Sequence, residues 1–229
     1  MEKHIMPIEA IARFMQVLDS AFPSGSFVHS FGLESHVVSG MVHDKESLKQ
    51  YLENHIVDQY RQCEFPFVAQ CYQNLLAHNL KVLIRLDYQF SAMFSDAFAQ
   101  ASHDIGSNYL KHIEALPHHA IVKDYFHAIK MQYAVGNELA VLSTYAFELG
   151  MDKALFLVMW AKKNLMGIAM CAVKISRIKP SDIQEILFEL DNFLLDAIKH
   201  HFPTMGNFNP LFEQTIYQHR VCEPKLFMT

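Results

Sequence analysis

The chain has 229 residues, of which 51% are hydrophobic and 19% charged, with eight glycines and eight prolines. This is enough to bury one sizeable core, and it excludes a disordered or fibrous chain. A net charge of -5 and the lack of a basic cluster exclude nucleic acid as a ligand.

The N-terminal run MEKHIMPIEAIARF has no apolar stretch followed by a small-residue cleavage site. No secretory signal is therefore expected, and a cytoplasmic protein is. Ile8, Ile11, Ala12, Met15 and Leu18 then share one face of a first helix. The next stretch, FPSGSFVHSFGLESH (residues 22–36), breaks that helix at Pro23–Gly25 and reads as a turn into a helix over about 28–39. In that helix Phe27, Phe31, Val37 and Val38 are placed to pack, and Glu34 and His36 to face water or a partner.

Asp44 is a predicted N-cap, followed by the stripe Leu48, Tyr51, Leu52 and Ile56. Val122, Phe126, Ile129 and Tyr133 form another stripe. Residues 154–173 (ALFLVMWAKKNLMGIAMCAV) are the most apolar part, but Lys162, Lys163 and Asn164 interrupt them at mid-length. Charges there are costly in a bilayer, so a buried helix is expected and not a membrane span. Pro180 starts the clearest amphipathic helix, with Ile183, Ile186, Leu187, Leu190, Phe193, Leu194, Ala197 and Ile198 on one stripe. Further breaks are expected at Gly40, Pro117, Gly136, Gly150 and Pro203–Gly206. No segment alternates with period two. The expectation is an all-α single domain over 1–229, a bundle of about eight to ten helices, with residues 203–229 as a less regular tail.

No catalytic constellation follows from the spacing. PSGS lacks the lysine of a phosphate loop, and Gly25 to Gly32 does not match GxGxxG. Ser24 or Ser26 beside His29 does not form a nucleophile elbow. The chain has 14 histidines, but no two of them lie four residues apart, the spacing that sets two ligands on one helix face. The pairs His118–His119 and His200–His201 point in different directions on a helix. Asp182, Glu185 and Glu189 read as a solvated face. Cys63, Cys71, Cys171 and Cys222 are scattered, as reduced thiols are, and no metal or cofactor is expected. Twelve Met and 18 Phe suit a large helical core, or an apolar surface used for association. The end KLFMT fits the second idea, since Leu226–Phe227 has no core partner in sequence.

Two motifs reach a known family. The run LDSAFPSGSFVHSFGLES resembles the N-terminal signature of the urease accessory protein F family through Ser20, Ala21, Pro23, Gly25, Phe27, His29, Ser30, Gly32, Leu33 and Glu34. The C-terminus is similar to the family's in spacing, with His219 followed by Leu226–Phe227. Weaker matches between them are Ala101, Ser102 and Gly106, then Tyr133 to Gly136, then Asn164–Leu165. The chain departs from the pattern at Ala97 and Ala99, at Lys174, Ile175, Ser176 and Arg177 after Cys171, at Arg220 and at Met228.

The resemblance implies an all-α protein that is not itself an enzyme. It implies a homodimer with three kinds of partner. These are a companion scaffold protein of the UreD/UreH type, a GTPase of the UreG type, and the apo-urease into which nickel is inserted. Partner contacts would then fall on Ser20, Pro23, Gly25, Phe27, His29, Ser30, Gly32, Leu33, Glu34, His219, Leu226 and Phe227, with the tail docking on the companion protein. A second reading from the aromatic and histidine content is a small all-α enzyme or ligand-binding protein with a site between helices.

Overall fold

A computed structural model describes residues 8–25, 32–206 and 226, and among these every regular element is helical. The order is α1 (Ile8–Leu18), α2 (Leu33–Val38), α3 (Lys45–Tyr51), α4 (Phe65–Leu76), α5 (Leu80–Ser91), α6 (Asp96–Ile113), α7 (Ala120–Lys130), α8 (Glu138–Glu148), α9 (Lys153–Ile175) and α10 (Pro180–Lys199). Two π-helical segments, Leu52–Val57 and Tyr60–Glu64, join α3 to α4 in one unbroken rod. Pro66 lies just past the second of them. Proline cannot donate a backbone hydrogen bond, and its ring crowds the preceding turn; the wider π turn accommodates both.

Local chemistry sets the element ends. Asp44 caps α3 in a reciprocal box with Ser47, the two exchanging side-chain and backbone hydrogen bonds. Asn79, Asn137 and Asp152 cap α5, α8 and α9 more simply, each side-chain oxygen accepting from backbone N–H groups of the first turn. The breaks before α5 and α6 carry no Gly or Pro, and the sequence reading did not place them.

Helix α8 is the centre. Residues 138–146 are buried on every side, which is the pattern of a helix surrounded by others. It packs against α4, α6, α7 and α9. Gly106 of α6 makes the closest crossing. A Cβ there would lie 2.1 Å from the Gly136 carbonyl oxygen, so only glycine fits. In the same crossing the Glu138 N–H donates to Ser102 Oγ at 3.2 Å. The weaker family-like segments, Ala101–Ser102–Gly106 and Tyr133–Gly136, thus meet in space.

Asp87 of α5 ties this crossing to the next layer. It is fully buried and accepts from the Tyr125 hydroxyl at 2.9 Å, from the Gly136 N–H at 2.7 Å and from the Asn137 backbone and side-chain nitrogens. Burial pushes its carboxyl above the usual range, and these donors oppose the shift.

The apolar helix α9 packs against α10, α2, α1 and α4 inside the protein. Lys162 reaches Asp191 and the Leu187 carbonyl, and Lys163 lies 3.8 Å from Glu138. The two lysines are therefore spent within the fold. The α10 stripe is buried as expected, except for Phe193, which is 43% exposed. In the stripe from Val122, the first two residues are buried, but Tyr133 lies beyond the end of α7 and is exposed.

The expected face of α1 needs correction. Ala10, Phe14, Val17 and Leu18 are buried, whereas Ile8 and Met15 are 80% and 60% exposed. Phe14 meets Phe156 of α9 with ring centroids 5.7 Å apart, and this contact selects the buried side.

Candidate functional site

The N-terminal signature is held at two places. Its first half lies on α6. Phe22 stacks on Tyr109 at 5.3 Å and meets His112 edge-on at the same distance. The Asn108 side chain donates to the Ser24 carbonyl at 3.1 Å, and Lys111 donates to Asn108. Ser24 is buried, while Ser20, Pro23 and Gly25 remain exposed at the surface. Asn108, Tyr109 and His112 were not singled out from the sequence, because the turn they hold is more than 80 residues away along the chain.

Its second half begins at Gly32, whose φ of 85° is open to glycine at little cost, and continues as α2. The helix is shorter than the expected 28–39. Leu33 is fully buried, Glu34 is 2% exposed and His36 is 5% exposed. This corrects the expectation that Glu34 and His36 face water or a partner. His36 donates from Nδ1 to the Gly32 carbonyl at 3.0 Å. Its ring lies 4.6 Å from Tyr51 and 5.3 Å from His55. Burial lowers the pKa of both histidines; the Gly32 hydrogen bond opposes the shift at His36, and His36 adds to it at His55.

Glu34 points to the end of the chain. Its Oε1 accepts the backbone N–H of Leu226 at 2.8 Å. Leu226 itself is 63% exposed. Helix α2 packs on α9 at the same place, and Cys171 senses the Glu34 carboxylate there. Burial pushes the Cys171 thiol up to about 11, with Lys174 opposing and Glu34 adding to the shift. Three stretches named from the sequence therefore meet: the Gly32–Glu34 end of the signature, Leu226 of the tail, and the departure that follows Cys171. Lys174 and Arg177 are exposed at the end of α9, and Ser176 terminates it by bonding back to the Ala172 carbonyl at 2.7 Å.

The remaining candidates, Phe27, His29, Ser30, His219 and Phe227, lie outside the described residues, as do Ser26, Arg220, Cys222 and Met228. Among the described residues Cys63, Cys71 and Cys171 are buried and form no disulfide. Among the described residues no three His, Cys, Asp or Glu side chains are grouped to hold a metal ion. The arrangement at Glu34 is a clamp between backbone and carboxylate, with an exposed apolar side chain beside it.

The profile of the family described as UreF matches residues 42–191. The urease accessory protein UreF of Bacillus sp. (strain TB-90) is 27% identical over 219 residues, covering 93% of this chain and 96% of that protein. The protein of the same name from Haemophilus influenzae (strain PittGG) is 25% identical over 224 residues, covering 96% and 95%. That from Actinobacillus pleuropneumoniae serotype 5b (strain L20) is 24% identical over 191 residues, covering 83% and 84%.

Proposed function

Because this chain belongs to the UreF family, we propose that it assists urease maturation by protein–protein contact and not by catalysis. It acts with a companion scaffold protein of the UreD/UreH type and a GTPase of the UreG type, and the assembly passes nickel, as cargo, to apo-urease. The working unit is a homodimer. The relatives' printed names support the accessory role. The observation that carries the contact reading is the Glu34–Leu226 clamp. It ties the N-terminal signature to the tail, so one docking event reads both ends of the chain.

In this reading Ser20, Pro23 and Gly25 present the surface of the signature, and Leu226 presents an apolar side chain to a groove of the companion protein. Burying such a side chain contributes about 1.5–3 kcal/mol to docking. Gly32, Leu33 and Glu34 act from beneath by holding that surface in place.

Size-exclusion chromatography with light scattering tests this. The chain is run with the companion scaffold protein, full-length and truncated before Val221. A stable complex that is lost on truncation is the expected result. A full-length chain that ignores the scaffold protein would sink the proposal.

A further inference from the structure

The segment after α10 turns back onto the rod. The Phe202 N–H donates to the Arg61 carbonyl at 3.2 Å, and the Gly206 N–H donates to the Gln62 carbonyl at 3.0 Å. One residue makes these two carbonyls available. In the second π-helical segment the Phe65 N–H bonds the Tyr60 carbonyl, five residues back. Continued by one residue, that count sets Pro66 opposite Arg61. The four-residue count of α4 sets Pro66 opposite Gln62. Proline has no N–H, so by either count Pro66 is the absent donor. Residues 202–206 bring one donor to each carbonyl from outside the helix.

Side chains complete the seat. The Arg61 guanidinium lies over the Phe202 ring, 5.5 Å from its centroid, and pairs with Asp58 at 2.8 Å. Met205 is half-buried and packs on the core. Phe202, Pro203, Thr204 and Gly206 are exposed. Little apolar area therefore holds this segment, and lifting it leaves the core cluster in place. A segment with few buried contacts opens at a small fraction of the free energy of global unfolding. From Gly206 the chain runs on into residues 207–229.

We propose that Phe202–Gly206 is a releasable strap. Closed, it fixes the start of the tail on carbonyls that Pro66 leaves open. Released, it frees the chain from the end of α10 onward while α4, α8 and α9 stay folded. Its use rests on the docking reading above: a partner that draws on the tail lifts the strap before it strains the core. The strap itself needs no partner.

Amide hydrogen exchange followed by NMR tests this on the full-length chain alone. The Phe202 and Gly206 amides should exchange more slowly than in an unstructured peptide of the same sequence and faster than the buried amides of α8. Their rates should respond little to low denaturant, as local openings do. In Pro66→Ala the restored N–H draws the Arg61 or Gln62 carbonyl back toward the helix axis. Exchange at both strap amides should then rise roughly 3- to 10-fold, the equivalent of one net hydrogen bond, with α8 unchanged. Strap amides as fast as the peptide, or in step with α8, overturn the proposal, and so does an unchanged rate in Pro66→Ala. If Pro66→Ala does not fold, Phe202→Ala decides. Loss of the ring from Arg61 should speed exchange at Gly206, and an unchanged Gly206 rate overturns the strap. Rates as expected, with no complex in light scattering, would instead remove the docking reading and leave the strap standing.

Discussion

The backbone N–H of Leu226 donates to Glu34 Oε1 at 2.8 Å, across 192 positions of the chain. Glu34 is buried and its partner's side chain is exposed, so the bond anchors the end of the chain without burying the residue it anchors. A hydrogen bond to a carboxylate contributes about 1.5–3 kcal/mol. Glu34→Ala should therefore raise hydrogen exchange at the Leu226 amide roughly 10- to 100-fold. An unchanged rate would show that the clamp does not persist in solution.

Two glycines in helices should respond in opposite directions to the same substitution. Gly106→Ala forces a methyl to within 2.1 Å of the Gly136 oxygen and 2.8 Å of the Asn137 carbonyl carbon. Both are backbone atoms, so α6 and α8 must separate, at a cost of about 3 kcal/mol or more. Gly167 of α9 has open space around its Cβ position. Gly167→Ala should stabilise by about 0.5–1 kcal/mol, the gain of alanine over glycine inside a helix. Urea unfolding of the two variants checks both signs.

Asp87→Ala should be among the most damaging single changes. It strands the Gly136 N–H, the Tyr125 hydroxyl and the Asn137 side chain together, all buried. Breaking such a network costs about 3–5 kcal/mol, which is a large share of the stability of a domain. Thermal unfolding followed by circular dichroism measures it. A loss below about 1 kcal/mol would mean that water replaces the carboxylate.

Acid should weaken the seat of α2. The folded pKa values of His36 and His55 lie below the ordinary 6.5, so the unfolded chain takes up protons first as pH falls. Their contribution is fully present above pH 6.5 and is lost as pH falls through the lowered folded values. The melting temperature should drop over that window, and His55→Gln should reduce the drop.

Glu64 acts at the other end of the scale. Its folded pKa of about 8 stands above the ordinary 4.5, so its contribution is complete below pH 4.5. That contribution is lost as pH rises toward and through 8. Melting temperature should therefore decline between about pH 4.5 and 8 and level off above, and Glu64→Gln should flatten that decline. An identical slope in the variant would place the titration elsewhere.

Much of the fold was legible in the sequence because its signals are local. The α10 stripe, the Asp44 cap and the breaks at Gly40, Gly136 and Gly150 each depend on residues within one or two turns, and each stands where it was read. The family signature at Ser20–Glu34 was legible as well, being a contiguous run of residue types. The breaks before α5 and α6 were not, since Asn79 caps α5 and Ser95 stands at the N-cap position of α6 without a Gly or Pro to mark either.

The sequence by itself determined the helical class, most element ends and the likeness at both ends of the chain, because periodicity and caps act over a few residues. Only the tertiary structure decided which face of α1 is buried, since Ile8–Met15 and Ala10–Phe14 are both helical faces and Phe156 selects between them. It alone decided that Glu34 and His36 turn inward. It alone brought Asp87 to Gly136, and Glu34 to Leu226. The physical reason is common to all of these. A polar residue's burial depends on whether a distant donor or acceptor arrives to satisfy it, and no spacing within a helix carries that information.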